Sequence, residues 1–387
     1  MIQGAKFLLP AIWKTVILPP LLAYWLLRHL KPPTDSFLLR VTMYLVVLVS
    51  SHIFRTWFST LQTQIRARQC GAREVPRVKG RWVLNLDVMV DWSRSGREEE
   101  VARMLELLKR EYGTTFNTRV LGEDQVITTD PRVIRHVLID DFDNFVKGEK
   151  FYQRAEGFLG DGIFNSDGER WRFHRNLTRP YFHPSHISPS LFTPLFQRFM
   201  RNLPLGTPFD IHRPISRLAL HVSLLWLCGC DLSGEEAVGD QLGEALRTAQ
   251  EVVGRRVKIG TVWPLFELGR NPLREPMQVI RGFFRPLIAR AKDKNQRREG
   301  HCLLYQLVDS TDDAKLVEDQ LINLLLASRD TTASLSTFLV YALAIHPTIA
   351  RQVRGEVRAV AGSDGQVDKD VDERSSTRHF GSSPLCR

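Results

Sequence analysis

The chain has 387 residues, 43% hydrophobic and 25% charged, which supports a sizeable core and an ordinary soluble surface. Its formal net charge of +10 points to an anionic partner, but the basic residues gather just after apolar N-terminal segments, which argues against nucleic acid. The five cysteines, Cys70, Cys228, Cys230, Cys302 and Cys386, form neither a disulfide framework nor a Cys-x-x-Cys metal pair. A disulfide-stapled secreted domain is thereby excluded, and a reducing cytosol fits.

Two apolar segments open the chain. Leu8–Leu27 is long enough for a hydrocarbon core but carries Lys14, Pro10, Pro19 and Pro20. Val41–Phe58 has a clean centre, Val41–Ile53, and extends to membrane-spanning length if Arg40 and Arg55 snorkel. No small-residue cleavage site follows, so residues 1–60 read as membrane-anchoring helices rather than a signal peptide. A pair of buried amphipathic helices is the alternative. After them come Arg55, Arg66, Arg68, Arg73, Arg77, Lys79 and Arg81 against Glu74 alone. Positive-inside logic puts the body of the protein in the cytosol. Residues 61–82 read as a basic linker stiffened by Pro76.

The body starts at residue 83. Arg97–Tyr112 is an amphipathic helix by its spacing of Val101, Met104, Leu105 and Leu108. Phe116–Leu121 and Val126–Thr129 flank a Gly122-Glu-Asp-Gln turn, a short hairpin. Pro131 starts a further helix to Leu138. Helical patterns follow near Leu191–Asn202, Pro214–Cys228, Gly239–Val253, Pro276–Lys294, Leu303–Asp309, Lys315–His346 and Pro347–Ala361. The expected fold class is mainly α with a small β-sheet. From residue 363 the chain turns polar and loses any core-forming period, so 363–387 reads as a disordered tail.

Two stretches carry candidate chemistry. Leu321–Ala333 is an apolar helix pattern broken by Asp330, Thr331 and Thr332. Polar groups so deep in such a helix need partners. Either the threonines bond back to the preceding turn while the acid pairs with a neighbour, or the group does chemistry. Trp171 and Arg175 stand four apart and share a helix face, as an indole and guanidinium stacking pair or as two donors aimed at one anion.

These residues resemble a known family. Ala327-Ser-Arg-Asp-Thr-Thr332, with its flanks Asp319–Leu326 and Tyr341–Pro347, is similar to the oxygen-activation helix of the cytochrome P-450 heme-thiolate monooxygenases. Gly168-Glu-Arg-Trp-Arg-Phe-His-Arg175 resembles that family's Trp-x-x-x-Arg helix. The resemblance runs from about Val75 to Gly362 and leans toward fungal membrane-bound hydroxylases of alkanes and fatty acids. It implies the N-terminal part of that fold over 83–362, behind the membrane anchor, and heme as cofactor.

By the same resemblance, Trp171 and Arg175 bind the heme propionates, Ala327 and Ser328 belong to the groove where oxygen sits, and Thr332 supports a helix distortion beside the iron. Thr331 and Asp330 relay protons during oxygen activation. Ser328 stands where the family usually has Gly, which adds a hydroxyl at the groove. His174, one residue off the Trp171 face, reads as a packing residue rather than an iron ligand. The implied partners are an NADPH-dependent flavoprotein reductase, a membrane, that of the endoplasmic reticulum, and an apolar small-molecule substrate.

The family's ligand loop, Phe-x-x-Gly-x-Arg-x-Cys-x-Gly, is missing, as is Glu-x-x-Arg after the Asp330 helix. Cys386 follows Phe380, but Ser383 stands where the loop needs Gly. No metal ligand is therefore assigned. Two functions stay open: a heme monooxygenase seen here as a C-terminally truncated product, or a non-catalytic membrane protein derived from the family.

Overall fold

Proline and glycine punctuation sets where most helices of this chain start and stop. The computed structural model describes residues 21, 24–25, 37–82, 85–97, 101–120, 122–183, 189–204, 206–297 and 302–361. The first apolar segment falls outside them except for Leu21, Tyr24 and Trp25, and so does the tail with Cys386. Within the described residues the fold is mainly α with one small sheet. It divides into two compact units, Met1–Phe158 with Ala249–Arg274, and Leu159–Thr248 with Glu275–Arg387.

The first unit opens with α1, Phe37–Gln69. Its 33 residues rise about 50 Å, more than the roughly 30 Å of a hydrocarbon core. Val41–Gln69 is long and apolar enough to cross a membrane, and Leu45, Val49, Ile53 and Trp57 are exposed along it. The helix passes residue 60 because nothing breaks it before Gly71, at φ +63°. The stretch expected as linker thus begins as helix. Then come α2 (Leu86–Arg97) and α3 (Val101–Tyr112). The first of these has no counterpart in the sequence reading, because Ser and Gly dilute its apolar period.

Strands β1 (Thr115–Asn117) and β2 (Val126–Thr128) pair antiparallel, with Phe116 opposite Ile127. They are shorter than the hairpin read from sequence. Asn117 is the cause: its Oδ1 accepts from the amides of Arg119 (3.0 Å) and Gln125 (3.1 Å), and its Nδ2 donates to Asp124 (2.8 Å). Those bonds close the loop in place of further ladder rungs, and Arg119 turns at φ +37°. Val78, Val88 and Phe116 form the core here, packed by Met104, Leu105 and Leu108.

Helix α4 (Pro131–Arg135) is capped by Asp130 and runs into a π-helical turn, His136–Asp140. Helix α5 (Glu149–Leu159) follows. Near the end of this unit the Arg256 guanidinium is 1% exposed and bonds Glu267 at 3.1 and 2.7 Å. It also donates to the Arg154 carbonyl (3.0 Å) and lies 4.3 Å from the Trp263 ring centroid. A charge this deep is tolerable only because each face of it has a partner.

The second unit is helical throughout. It holds α6 (Gly168–Thr178), α7 (Pro189–Asn202), α8 (His212–Cys228), and most of α9 (Glu236–Ile259) and α10 (Arg274–Lys292). These are followed by α11 (Leu303–Ser310), α12 (Ala314–Ile345) and α13 (Pro347–Ala361). Helix α8 ends at Gly229, whose φ of +62° supplies the left-handed cap. Helix α12 starts at Asp313, which caps the amides of Lys315 and Leu316, and stops one residue short of Pro347. Helix α8 packs along α12 and buries Ile215 and Ala219 with Ala333.

Candidate functional site

From Val317 to Leu325 α12 is buried on every side, and three of its polar residues, Asp319, Gln320 and Asn323, face one backbone turn, while Glu318 pairs with Arg281 and Arg285. Asp319 Oδ2 accepts the Asp161 amide at 3.0 Å. Gln320 Oε1 accepts the Ile163 amide (3.4 Å), and Asn323 Oδ1 accepts that of Phe164 (2.9 Å). Asn323 Nδ2 then donates to the Leu159 carbonyl at 2.8 Å. Asp319, Gln320 and Asn323 are 2%, 0% and 0% exposed, so these bonds satisfy groups that water cannot reach. Two glycines let the turn come this close. A Cβ on Gly160, at φ +54°, would run into the Asp319 carboxylate, and one on Gly162 into the Asn323 amide.

The turn launches α6, which carries Trp171 and Arg175. Trp171 is half-buried; Arg175 is exposed, and its guanidinium enters no ion pair among the described residues. Beside them on the helix, His174 is 1% exposed, and neither ring nitrogen has a partner within hydrogen-bonding geometry. Its burial pulls the imidazole below its usual pKa, against a weaker pull upward from the Asp161 backbone. His174 is thus a buried packing residue whose surroundings disfavour the charged ring.

Further along α12, Ala327, Ser328 and Asp330 are half-buried, while Thr331 and Thr332 are exposed. Thr331 Oγ1 donates to the Ala327 carbonyl at 2.7 Å, and Ser328 Oγ to that of Leu325 at 3.2 Å. Asp330 Oδ1 stands 3.6 Å from Arg329 Nε. These are the back-bonds and the neighbouring ion pair of the plainer sequence reading. The helix runs unbroken through Asp330–Thr332, without the distortion that the resemblance implies beside an iron. Arg329 was not singled out in the sequence. It is 88% buried by its side chain, being 12% exposed, and desolvation lowers its pKa while Asp330 opposes the shift.

Both candidate segments thus belong to one compact unit, and the ties between them run through the Leu159–Ser166 turn. Sequence reasoning noted Asp319–Asn323 only as a flank. The available signal was three polar residues at i, i+1 and i+4 inside an otherwise apolar helix.

The donor chemistry fits part of a heme. Arg175 and Trp171 suit two carboxylates at a ring edge, and the hydroxyls of Ser328, Thr331 and Thr332 line one helix face. An axial thiolate is another matter. Cys228 and Cys302 are buried, and desolvation pushes both thiols up in pKa, which keeps them protonated. Cys70 is exposed and follows α1, and no cysteine stands on α6 or α12. Among the described residues no cluster of three or more His, Cys, Asp or Glu side chains is arranged to hold a metal. A cleft of about 510 Å³ lies elsewhere in this unit, between Cys228–Leu242, α10 and Tyr305, and none of the candidate residues lines it.

The profile of the cytochrome P-450 family matches residues 84–374. Cytochrome P-450 52A13 of Debaryomyces hansenii is 27% identical over 309 residues, covering 73% of this chain and 58% of that protein. Cytochrome P-450 monooxygenase pvhE of Talaromyces variabilis is 28% identical over 276 residues, 65% of this chain and 51% of its own. Cytochrome P-450 52A1 of Candida tropicalis is 27% identical over 277 residues, 66% and 50% respectively. The chain spans about half the length of the curated relatives it matches. With most of its length inside the profile match, the chain belongs to the cytochrome P-450 family.

Proposed function

We propose that this chain carries the propionate side and the oxygen side of a heme site in a monooxygenase that hydroxylates long-chain apolar substrates of the alkane or fatty-acid type. Heme, when bound, supplies the reducible iron at which oxygen is activated. Electrons come from an NADPH-dependent flavoprotein reductase. Helix α1 anchors the protein in a membrane, that of the endoplasmic reticulum, with the folded body on the cytosolic side. The basic run after α1 supports that orientation, since Arg66 and Arg68 close the helix.

Each candidate residue then has a defined task. Arg175 and Trp171 hold carboxylates by charge and by an indole N–H, and Arg175 is available because no carboxylate of the described chain neutralises it. Asp330 exchanges protons with solvent from a side chain that is 38% exposed. Thr331 can accept a hydrogen bond in its present state. To donate one outward it must first release the Ala327 carbonyl, which is a low-cost rotation for an exposed hydroxyl. Ser328 adds a second small hydroxyl one turn earlier.

The observation that carries this reading is the joining of the two family-like segments through the buried turn at 159–166. The test is a heme titration of the full chain in detergent, with heme dimethyl ester, which lacks free propionates, as comparison. A preference for free heme that is lost in Arg175→Gln supports the site. Equal binding of both compounds, or a preference untouched by Arg175→Gln, sinks it.

A second reading is favoured by the thiols: none stands on α6 or α12, and Cys228 and Cys302 are buried with their pKa pushed up by desolvation. On that reading the chain is a non-catalytic membrane protein of this family. Heme bound without a thiolate-type absorption spectrum, and no hydroxylation of a long-chain fatty acid with reductase present, would favour it.

A further inference from the structure

We infer that Asp319 is a positioning residue for the helix that carries Trp171 and Arg175, acting through the Leu159–Ser166 turn. This rests on the heme reading for its purpose, but its mechanical content stands apart from it. The carboxylate is 2% exposed and lies on α12, twelve residues before Thr331. One oxygen takes both the Asp161 amide (3.0 Å) and Lys315 Nζ (2.5 Å). The lysine reaches in from solvent with its side chain 60% exposed, so it offsets the buried charge without being buried itself.

The turn that Asp319 grips is rigid in its own right. Asn165 Nδ2 bonds the Gly160 carbonyl at 2.9 Å, and Ser166 Oγ bonds the carbonyls of Asp161 and Gly162 at 2.9 Å each. A pull on the Asp161 amide is therefore felt at Ser166, two residues before α6 begins. The Asp161 side chain adds a bond to Arg170 Nη1 (2.8 Å), but that pair is largely exposed and contributes little by itself. The far end of α6 is held separately, by Gln306 Nε2 on the Leu177 carbonyl at 3.0 Å. With the far end fixed, the setting of Trp171 and Arg175 depends on where the turn holds the near end. Gly160 records the same demand, since only a residue without a Cβ lets the backbone reach Asp319.

Hydrogen exchange on the full chain in detergent tests the inference. In Asp319→Ala the Asp161 amide and the α6 amides Arg172–Thr178 should exchange about tenfold faster or more, as expected for losing a hydrogen bond to a charged acceptor. Amides of α8 from Leu220 to Cys228 should keep wild-type rates. If α6 is unchanged while the Asp161 amide opens, the turn does not transmit and the inference fails. It fails equally if α6 and α8 accelerate together, because that marks a merely structural residue.

Should Asp319→Ala not fold, Asp319→Asn decides. It keeps an oxygen for the Asp161 amide and loses only the ion pair, so α6 exchange should stay within about threefold of wild type. Acceleration of α6 and α8 together in that variant overturns the proposal. Comparing free heme with its dimethyl ester separates the two claims. A wild-type chain with no preference for free propionates defeats the heme reading, and the exchange result then decides the positioning role on its own.

Discussion

The two halves of α12 have similar sequences and opposite surroundings. From Val317 to Leu325 every side chain is 6% exposed or less, including Glu318, Asp319, Gln320 and Asn323. Past Ala333 the large apolar residues face outward: Leu335 is 72% exposed, Phe338 70%, Leu339 56% and Tyr341 61%. The difference teaches that polarity and burial are set by what a helix meets, not by its own composition. In the first half, buried polar atoms are kept because a backbone turn needs them. In the second, no described residue covers an apolar face of a kind that marks an interaction surface or an aggregation liability. The catalytic candidates Asp330 and Thr331, with the cofactor-side candidate Thr332, sit at the changeover, where side chains have a fixed helix behind them and open space in front.

The largest effect should come from the buried half. Asn323→Leu strands the Phe164 amide and takes one of two bonds from the Leu159 carbonyl, which keeps the Gly162 amide. At about 1–3 kcal/mol for the unmet amide and about 1 kcal/mol for the carbonyl's lost bond, we expect a loss of roughly 3 kcal/mol. Chemical denaturation of the wild type and variant in the same detergent measures it. A loss below about 1 kcal/mol, the size of an ordinary surface change, would break the contrast. Gly160→Ala comes next. It forces a left-handed backbone onto an L-residue and drives a methyl at the Asp319 carboxylate, so about 2 kcal/mol is expected.

How far these features were legible in the sequence depends on what sets them. Helix ends with a local cause were readable: Pro347 and the left-handed Gly229 mark their positions by their own chemistry. So was the burial of Cys228, at the end of an apolar helix. The family-like residues Trp171, Arg175, Asp330 and Thr331 were found through resemblance, since their spacing alone also fits a stacking pair and a back-bonded helix. The grip of Asp319, Gln320 and Asn323 on residues 159–164 was not readable. Spacing shows that the three can share a face, but not that the face meets a backbone some 158 residues earlier. The exposure of the second half was equally hidden, because Leu335, Phe338 and Leu339 repeat the pattern of a buried helix.

A smaller effect is expected from His174, which belongs to the buried side of the contrast. Its folded pKa lies below the usual 6.5 because burial disfavours the charged ring. The unfolded chain therefore takes up a proton first as pH falls. Stability present above pH 6.5 is lost as pH drops through that value toward the depressed folded pKa. His221 is shifted the same way by its own burial and adds to the slope. Asp319 has the opposite sign, its folded pKa being raised by burial, so the histidine contribution is read from the difference between wild type and variant. Denaturation midpoints between about pH 7.5 and 6 should fall, and His174→Gln should flatten part of that fall. A slope unchanged by His174→Gln would mean that the ring is not held neutral in the folded state.

The smallest change in stability should come from the exposed half, and it is the sharpest test of the contrast. Leu335→Ser and Phe338→Ser remove side chains that are 72% and 70% exposed and so bury little area to lose. Each should shift the unfolding free energy by no more than about 0.5 kcal/mol, as for surface positions generally. A core leucine or phenylalanine would cost several times as much, roughly 2–5 kcal/mol on truncation. The same two substitutions should lower the aggregated fraction and the binding of an apolar dye, because they break the patch. If either costs more than about 2 kcal/mol in the isolated chain, the face is covered in solution and α12 has no exposed half. If stability holds while aggregation falls, the apolar face is a surface made for contact, and Asp330 and Thr331 stand at its edge.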